Sequence, residues 1–145
     1  LGTSQLTVSP GSRPLPVSLE QATEVARAYT AAWNTGSPDA VASFFAPEGQ
    51  IIINDGDPWL GRAGVAQMAS GFFADVPDLL LACDGVRVAG SHVVYLWTFT
   101  GTHATSKRKL RVTGWEEWDL DETLKVVISC GWFDADDYAR QTGVA

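Results

Sequence analysis

Between positions 18 and 36, apolar residues return at three- and four-residue steps: Ala22, Val25, Ala26, Tyr29, Ala32 and Trp33. That spacing places them on one face of a helix. Ser18-Leu-Glu-Gln21 ahead of it has the form of a capping box, and Gly36 closes the pattern. Ser37-Pro38-Asp39 then sets a capping serine before a proline at the first helical position, predicting a short second helix with Val41, Phe44 and Phe45 on its apolar face. Residues 50–54 form a β-branched run that reads as a strand, followed by turn residues at 55–58. A third helix is predicted over 61–73 through Val65, Met68, Ala69 and Phe72.

Past Pro77 the pattern changes. Apolar segments over 79–88, 92–103, 109–119 and 124–132 are separated by Gly90-Ser91, by the polar stretch 104–108 and by Asp121-Glu-Thr123. They predict strands joined as an antiparallel meander. Helices grouped first and strands grouped later argue for an α+β domain whose curved sheet packs its inner face on the helices. Residues 1–17 hold Pro10, Gly11, Pro14 and Pro16 among small polar residues, which predicts an extended N-terminal arm and leaves 18–145 as a single domain.

Composition narrows the function. At 145 residues, 46% apolar and 19% charged, the chain can bury one sizeable core and is too apolar for intrinsic disorder. Ten Lys+Arg against 17 Asp+Glu give a net charge of −7. That acidity argues against a nucleic-acid or anionic-membrane partner, since either would need a basic face, and leaves neutral or cationic small molecules open. No apolar run approaches the roughly 18 residues of a membrane span. Cys83 and Cys130 lie in or beside apolar stretches and read as two buried thiols, neither disulfide-bonded nor metal-binding. The first residue is Leu1 rather than Met; a cytoplasmic location is expected, with a removed leader left open.

Glycine-rich phosphate loops, serine-nucleophile elbows and histidine-rich metal motifs are absent from the sequence, so neither metal catalysis nor Ser-His-Asp hydrolysis is expected. The notable feature is polar residues at positions that period-2 alternation turns inward. In the segment 109–119, Leu110, Val112, Gly114, Glu116 and Trp118 share one face and Arg111, Thr113, Trp115, Glu117 and Asp119 the other. Glu116 would then point into the core, where desolvation raises a carboxyl pKa; in the alternate register Trp115 points inward and Glu116 is solvated. Glu117 and Asp119 read as surface charges.

Tyr29 lies on the apolar stripe of the first helix, where its phenol donates either into a cavity or to a backbone carbonyl. Asn54 and Asp55 end the first strand as rim residues or as an ordinary turn. His103 closes a strand either as a hairpin end or as a proton-transfer group, whereas His92 reads as structural. Six tryptophans, at 33, 59, 97, 115, 118 and 132, with Phe72, Phe73, Phe99 and Phe133, line either a core or an apolar pocket. Trp33, Trp59, Phe73, Trp97 and Trp118 are the rings expected at a ligand, together with Asn54. The basic group Lys107, Arg108, Lys109 and Arg111 falls on a predicted hairpin turn and reads as a solvated loop or the lip of an anion site.

In order and spacing, several segments resemble the SnoaL-like polyketide cyclases. They are Tyr29-x-x-x-Trp33-Asn-x-Gly36, Phe44-Phe-Ala-Pro-Glu-Gly49, the strand ending in Asn54-Asp55, Leu60-Gly-Arg62, Phe73-x-x-x-Pro77-Asp78, Trp97-x-x-x-Gly101-Thr-His103 and Gly131-Trp-Phe-Asp134. Those cyclases belong to the nuclear transport factor 2-like superfamily, beside ketosteroid isomerase and limonene epoxide hydrolase. The resemblance covers about residues 19–143. It implies a cone-shaped α+β fold, a strongly bent antiparallel sheet around N-terminal helices, an apolar pocket open at one end, and a homodimer.

It also implies roles. Tyr29 falls at the oxyanion-hole tyrosine of the isomerases, Glu116 at their protonated aspartic acid, and His103 near an active-site histidine of the cyclases. The isomerase base maps near Ile53, Asn54 or Asp55, of which only Asp55 is a carboxylate. Limonene epoxide hydrolase matches at Asn54 alone, since Ile52 and Cys130-Gly131 replace its tyrosine, Arg and Asp. The resulting expectation is a cofactor-free enzyme for isomerisation or aldol-type cyclisation of a hydrophobic, polyketide- or steroid-like carbonyl compound. Glu116, His103, Tyr29 and Asp55 would be catalytic in it, and the alternative is a non-catalytic ligand-binding or accessory domain.

Overall fold

The computed structural model describes residues 16–143. Its first helix, α1 (Leu19–Asn34), starts at the anticipated capping box: the Gln21 N–H donates to Ser18 Oγ and the Ser18 N–H to Gln21 Oε1, both at 3.0 Å. Such a cap stabilises a helix by about 1 kcal/mol. The same spacing buries Ala22, Ala26, Tyr29, Ala32 and Trp33. The predicted N-terminal arm lies outside the described residues up to position 15. Val17, assigned to that arm by the sequence, is instead buried in the core, and its N–H donates to Gly90 O at 2.9 Å.

Helix α2 (Pro38–Ala42) is shorter than its apolar pattern suggests. Phe45 already opens β1 (Phe45–Ile53), because Pro47 cannot continue a helix and forces Ala46 before it into extended backbone. A two-residue strand β2 (Trp59–Leu60) leads into α3 (Gly61–Asp75). The meander follows as β3 (Leu80–Ala89), β4 (His92–Thr102), β5 (Lys109–Leu120) and β6 (Val126–Phe133). A last helix, α4 (Ala135–Thr142), escapes the sequence pattern because its eight residues hold too few apolar positions to set a period.

The sheet runs β2-β1-β6-β5-β4-β3, and β3 to β6 pair antiparallel in chain order. Strand β1 instead runs parallel to β6, so the sheet is mixed. Between Val126 and Ile128 the pairing with β5 slips by one residue, which turns Ser129, Gly131 and Phe133 to the inner face. Where β6 stops opposite Gly114, the Gln141 side chain of α4 takes over the free edge of β5. Its Oε1 accepts from Arg111 N at 2.7 Å and its Nε2 donates to Arg111 O at 2.9 Å.

Inner-face residues form rows across the strands. One row reads Tyr95, Glu116, Gly131 and Ile53; beside it run Val93, Trp118, Ser129 and Ile51, and on the other side Trp97, Gly114 and Phe133. The core fills the space between these rows and the helices. Neither cysteine belongs to it. Cys83 is exposed on edge strand β3, and Cys130 is half-buried on the outer face, opposite Glu117; their places on the strands, rather than the apolarity of their neighbours, decide this.

Candidate functional site

Glu116 does point inward and is only 7% exposed. An isolated carboxyl there would carry a large desolvation penalty, which hydrogen bonds offset. Its Oε1 accepts from the Tyr29 hydroxyl at 3.1 Å, from Trp118 Nε1 at 2.9 Å and from Ser129 Oγ at 2.9 Å. Oε2 receives only the second arm of the Tyr29 hydroxyl, at 3.2 Å. The two oxygens are therefore unlike: Oε1 is saturated with donors, and Oε2 keeps capacity for another partner.

Burial pushes the Glu116 pKa above the ordinary carboxyl value, while the donors from Trp118, Ser129 and Tyr29 pull against that rise. The Tyr29 phenol is raised well above its usual value, first by burial and then by the adjacent Glu116 charge. Tyr29 stays a neutral donor. Five aromatic rings surround it, among them Trp118 edge-on at 5.2 Å and Tyr95 at 5.5 Å, so its hydroxyl is held in place by packing.

Beside the carboxyl lies a cavity of about 50 Å³. Glu116 and Gly131 line it, with walls that include Trp33, Phe72, Trp97, Phe99 and Phe133. Glu116 is the one ionisable side chain among the lining residues. Trp97 contributes a buried indole N–H that meets no acceptor among the described residues. No set of three or more His, Cys, Asp or Glu side chains among the described residues is placed to hold a metal ion.

The other residues singled out by sequence divide clearly. Trp33 and Trp97 line the cavity, and Trp118 backs the carboxyl. Phe73 packs on Trp33 with ring centroids 5.3 Å apart, while its neighbour Phe72 takes the lining position. Trp59 stands 39% exposed in a surface groove with Pro38 and Gln67, away from the cavity, because β2 sits at the sheet edge. Asn54 and Asp55 are a left-handed pair (φ 51° and 60°) that turns the chain after β1. Asp55 is exposed. Asn54 ties strand ends together, its N–H donating to Gly131 O at 2.8 Å and its Oδ1 accepting from Phe133 N at 3.0 Å.

His103 is buried, but beyond the Thr102–Lys109 pair that closes the β4–β5 ladder, where its Nδ1 accepts from Ser106 N at 3.2 Å. It organises a turn and is not among the cavity-lining residues. Glu117 and Asp119 are more than isolated surface charges. His92 Nδ1 lies 2.8 Å from Asp119 and Nε2 3.3 Å from Glu117, and the hydrogen bond to Asp119 leads the causes that raise the His92 pKa. Ser129 was not singled out by sequence. Its signal was a small hydroxyl within an apolar strand, and the bulge on β6 hid which face it occupies.

A family model described as a SnoaL-like domain matches residues 26–127. No curated protein matches the chain significantly. Among solved structures, a protein of ketosteroid isomerase-like fold from Catenulispora acidiphila DSM 44928, in complex with trimethylamine, superimposes with a TM-score of 0.77 at 18% identity, over 84% of this chain and 94% of that one. A SnoaL-like protein from Jannaschia sp. CCS1 gives 0.77 at 16% identity, over 96% and 98%. TerC, co-crystallised with polyporic acid, gives 0.73 at 16% identity, over 84% and 98%. At these identities the likeness establishes the fold: N-terminal helices in a curved six-stranded sheet.

Proposed function

Because the chain belongs to the SnoaL-like domain family, we propose that it is a cofactor-free acid/base enzyme acting on a small hydrophobic carbonyl compound, with Glu116 as its proton-transfer group. The observation that carries this reading is the asymmetry of the carboxyl, with Oε1 held by three donors and Oε2 by one arm of the Tyr29 hydroxyl, on a residue that lines an apolar cavity. A carboxyl whose pKa is raised by burial is a stronger base than one in water and is poised closer to neutrality.

In the proposed step, Oε2 of the ionised carboxylate takes a proton from the carbon next to the ligand's carbonyl. The C–H electron pair becomes the enolate double bond, and the negative charge develops on the carbonyl oxygen. Trp97 Nε1 is the donor assigned to that oxygen. The protonated carboxyl then returns its proton to the same carbon, or to the far carbon of a conjugated enolate, giving exchange or isomerisation. Attack of the enolate on a second carbonyl of the same molecule would give an aldol closure. Tyr29, Trp118 and Ser129 position the carboxyl without touching the ligand. His103 and Asp55, expected from sequence to be catalytic, take no part.

The test is exchange of the α-protons of cyclohexanone for deuterium in heavy water, followed by proton NMR. Exchange faster than buffer that Glu116→Gln removes supports the reading, and equal exchange in both proteins refutes it. The competing reading, an accessory domain that binds without turnover, draws on the small cavity and the lack of a second ionisable group there. It predicts ketone binding with no exchange. That two structural neighbours were solved with trimethylamine and with polyporic acid supports a small-molecule ligand in either case.

The reading includes a homodimer through the outer sheet face, where Trp115 and Val127 are 39% and 43% exposed. Sedimentation of Trp115→Glu as a monomer, beside a dimeric wild type, would support it. A monomeric wild type would remove it.

A further inference from the structure

Glycine within a strand weakens it, so each strand glycine needs a reason, and the usual one is that something approaches too closely for a side chain. None of the glycines in β1 and β3 to β6 has a positive φ, so backbone conformation is not the reason. At Gly49 an added Cβ would stand 2.6 Å from Val126 O. At Gly101 it would stand 2.3 Å from Val76 Cγ1, and at Gly114 2.4 Å from Trp132 O and 2.5 Å from Trp97 Cζ2. Gly85 is tight too, at 3.2 Å from Arg87 Nη1. Gly49, Gly101 and Gly114 are closed by the protein itself, and Gly85 is crowded by side-chain ends.

Gly131 differs. Its Cβ would meet nothing nearer than Glu116 Cγ at 3.6 Å, then Ile53 Cγ1 at 3.8 Å, which are ordinary packing distances. The protein has room for a methyl group there, yet the residue is a buried glycine that lines the cavity in the same row as Glu116. The contrast with Gly114 is direct: the indole of Trp97 occupies the Cβ position of Gly114, whereas the side chains of Glu116 and Ile53 stop at packing distance from that of Gly131. Ile53 and Glu116 flank that position from the strands on either side, each at packing distance from it.

We infer that Gly131 is the specificity-determining position of the cavity. Its bare backbone is the floor of the cavity beside Glu116, where the edge of a cyclic carbonyl compound enters the space that a methyl group would fill. The inference rests on the function proposed above and names the shape of its substrate. A methyl group at this position removes ligand space and leaves the fold intact.

The experiment compares wild type, Gly131→Ala and Gly114→Ala in three measurements: melting temperature without ligand, α-proton exchange of cyclohexanone and of acetone, and cyclohexanone binding by saturation-transfer NMR. Gly131→Ala should melt at or above the wild-type temperature, whereas Gly114→Ala melts lower. Cyclohexanone exchange should fall by about tenfold or more, the scale of one misplaced methyl group in a pocket, while acetone changes by less than about threefold. Melting of Gly131→Ala more than about 4 °C below wild type would give the glycine a folding reason and overturn the inference. So would unchanged cyclohexanone exchange.

Should wild type and Glu116→Gln exchange alike, the catalytic reading fails by itself. Binding then decides on Gly131: cyclohexanone bound by wild type and lost in Gly131→Ala upholds the floor, and equal binding, or none by wild type, overturns it.

Discussion

Tyr29 and Glu116, 87 positions apart in sequence, share a buried two-armed hydrogen bond of 3.1 and 3.2 Å that joins α1 to β5. With Trp118 and Ser129 it loads one carboxyl oxygen and leaves the other with a single arm of the Tyr29 hydroxyl. Four measurable consequences follow from this arrangement and from its surroundings.

Stability should depend on pH through Glu116. Its folded pKa is raised above the ordinary 4.5, so the folded state binds the proton more tightly than the unfolded chain does. The resulting contribution is complete below 4.5 and is lost as pH rises through the folded value. Urea unfolding of wild type and Glu116→Gln from about pH 4 to about pH 8 checks this. The difference should grow in favour of Gln with rising pH, and a difference constant with pH would contradict it.

Removing a donor should move the activity profile. Tyr29, Trp118 and Ser129 each favour the ionised carboxyl, so Ser129→Ala and Tyr29→Phe raise the Glu116 pKa further and shift the rise of α-exchange to higher pH. Each variant should also lose about 1–3 kcal/mol of stability, the range for a buried hydrogen bond left incomplete. A loss of stability with an unmoved profile would reduce these side chains to packing.

His103→Ala and Asp55→Ala should leave exchange within about twofold of wild type, because neither lines the cavity. The kinetic constants of both variants with cyclohexanone check this. A drop of a hundredfold in either would restore it to the catalytic set.

His92 should supply a second pH dependence, on the outer face. Its pKa is raised above 6.5 by Asp119 and Glu117, so its contribution is complete below 6.5 and is lost as pH rises through the folded value. His92→Asn should remove this part of the slope and leave exchange unaltered. NMR titration of the His92 ring gives the folded midpoint independently.

The strand and helix patterns carried much of this into the sequence. Alternation along β5 identified the inner face of Glu116, and the three- and four-residue spacing of α1 identified that of Tyr29. Alternation reports a face and not a place along it. His103 lies at the turn rather than beside Glu116 because registers with β3 and β5, invisible in any one strand, decide which row each residue joins. The β6 bulge changes parity in mid-strand, and for that reason Ser129 escaped notice. Trp59, Cys83 and Cys130 were misplaced because apolar character does not reveal that a strand is an edge or that a residue faces outward.

The most direct measurement of the central claim is the carboxyl carbon of Glu116 followed by carbon-13 NMR across pH, beside the pH profile of cyclohexanone exchange. One titration midpoint, raised above 4.5 and coincident with the rise of exchange, is the predicted result. A carboxyl that titrates at its ordinary value, or exchange that rises at a different pH, would contradict it.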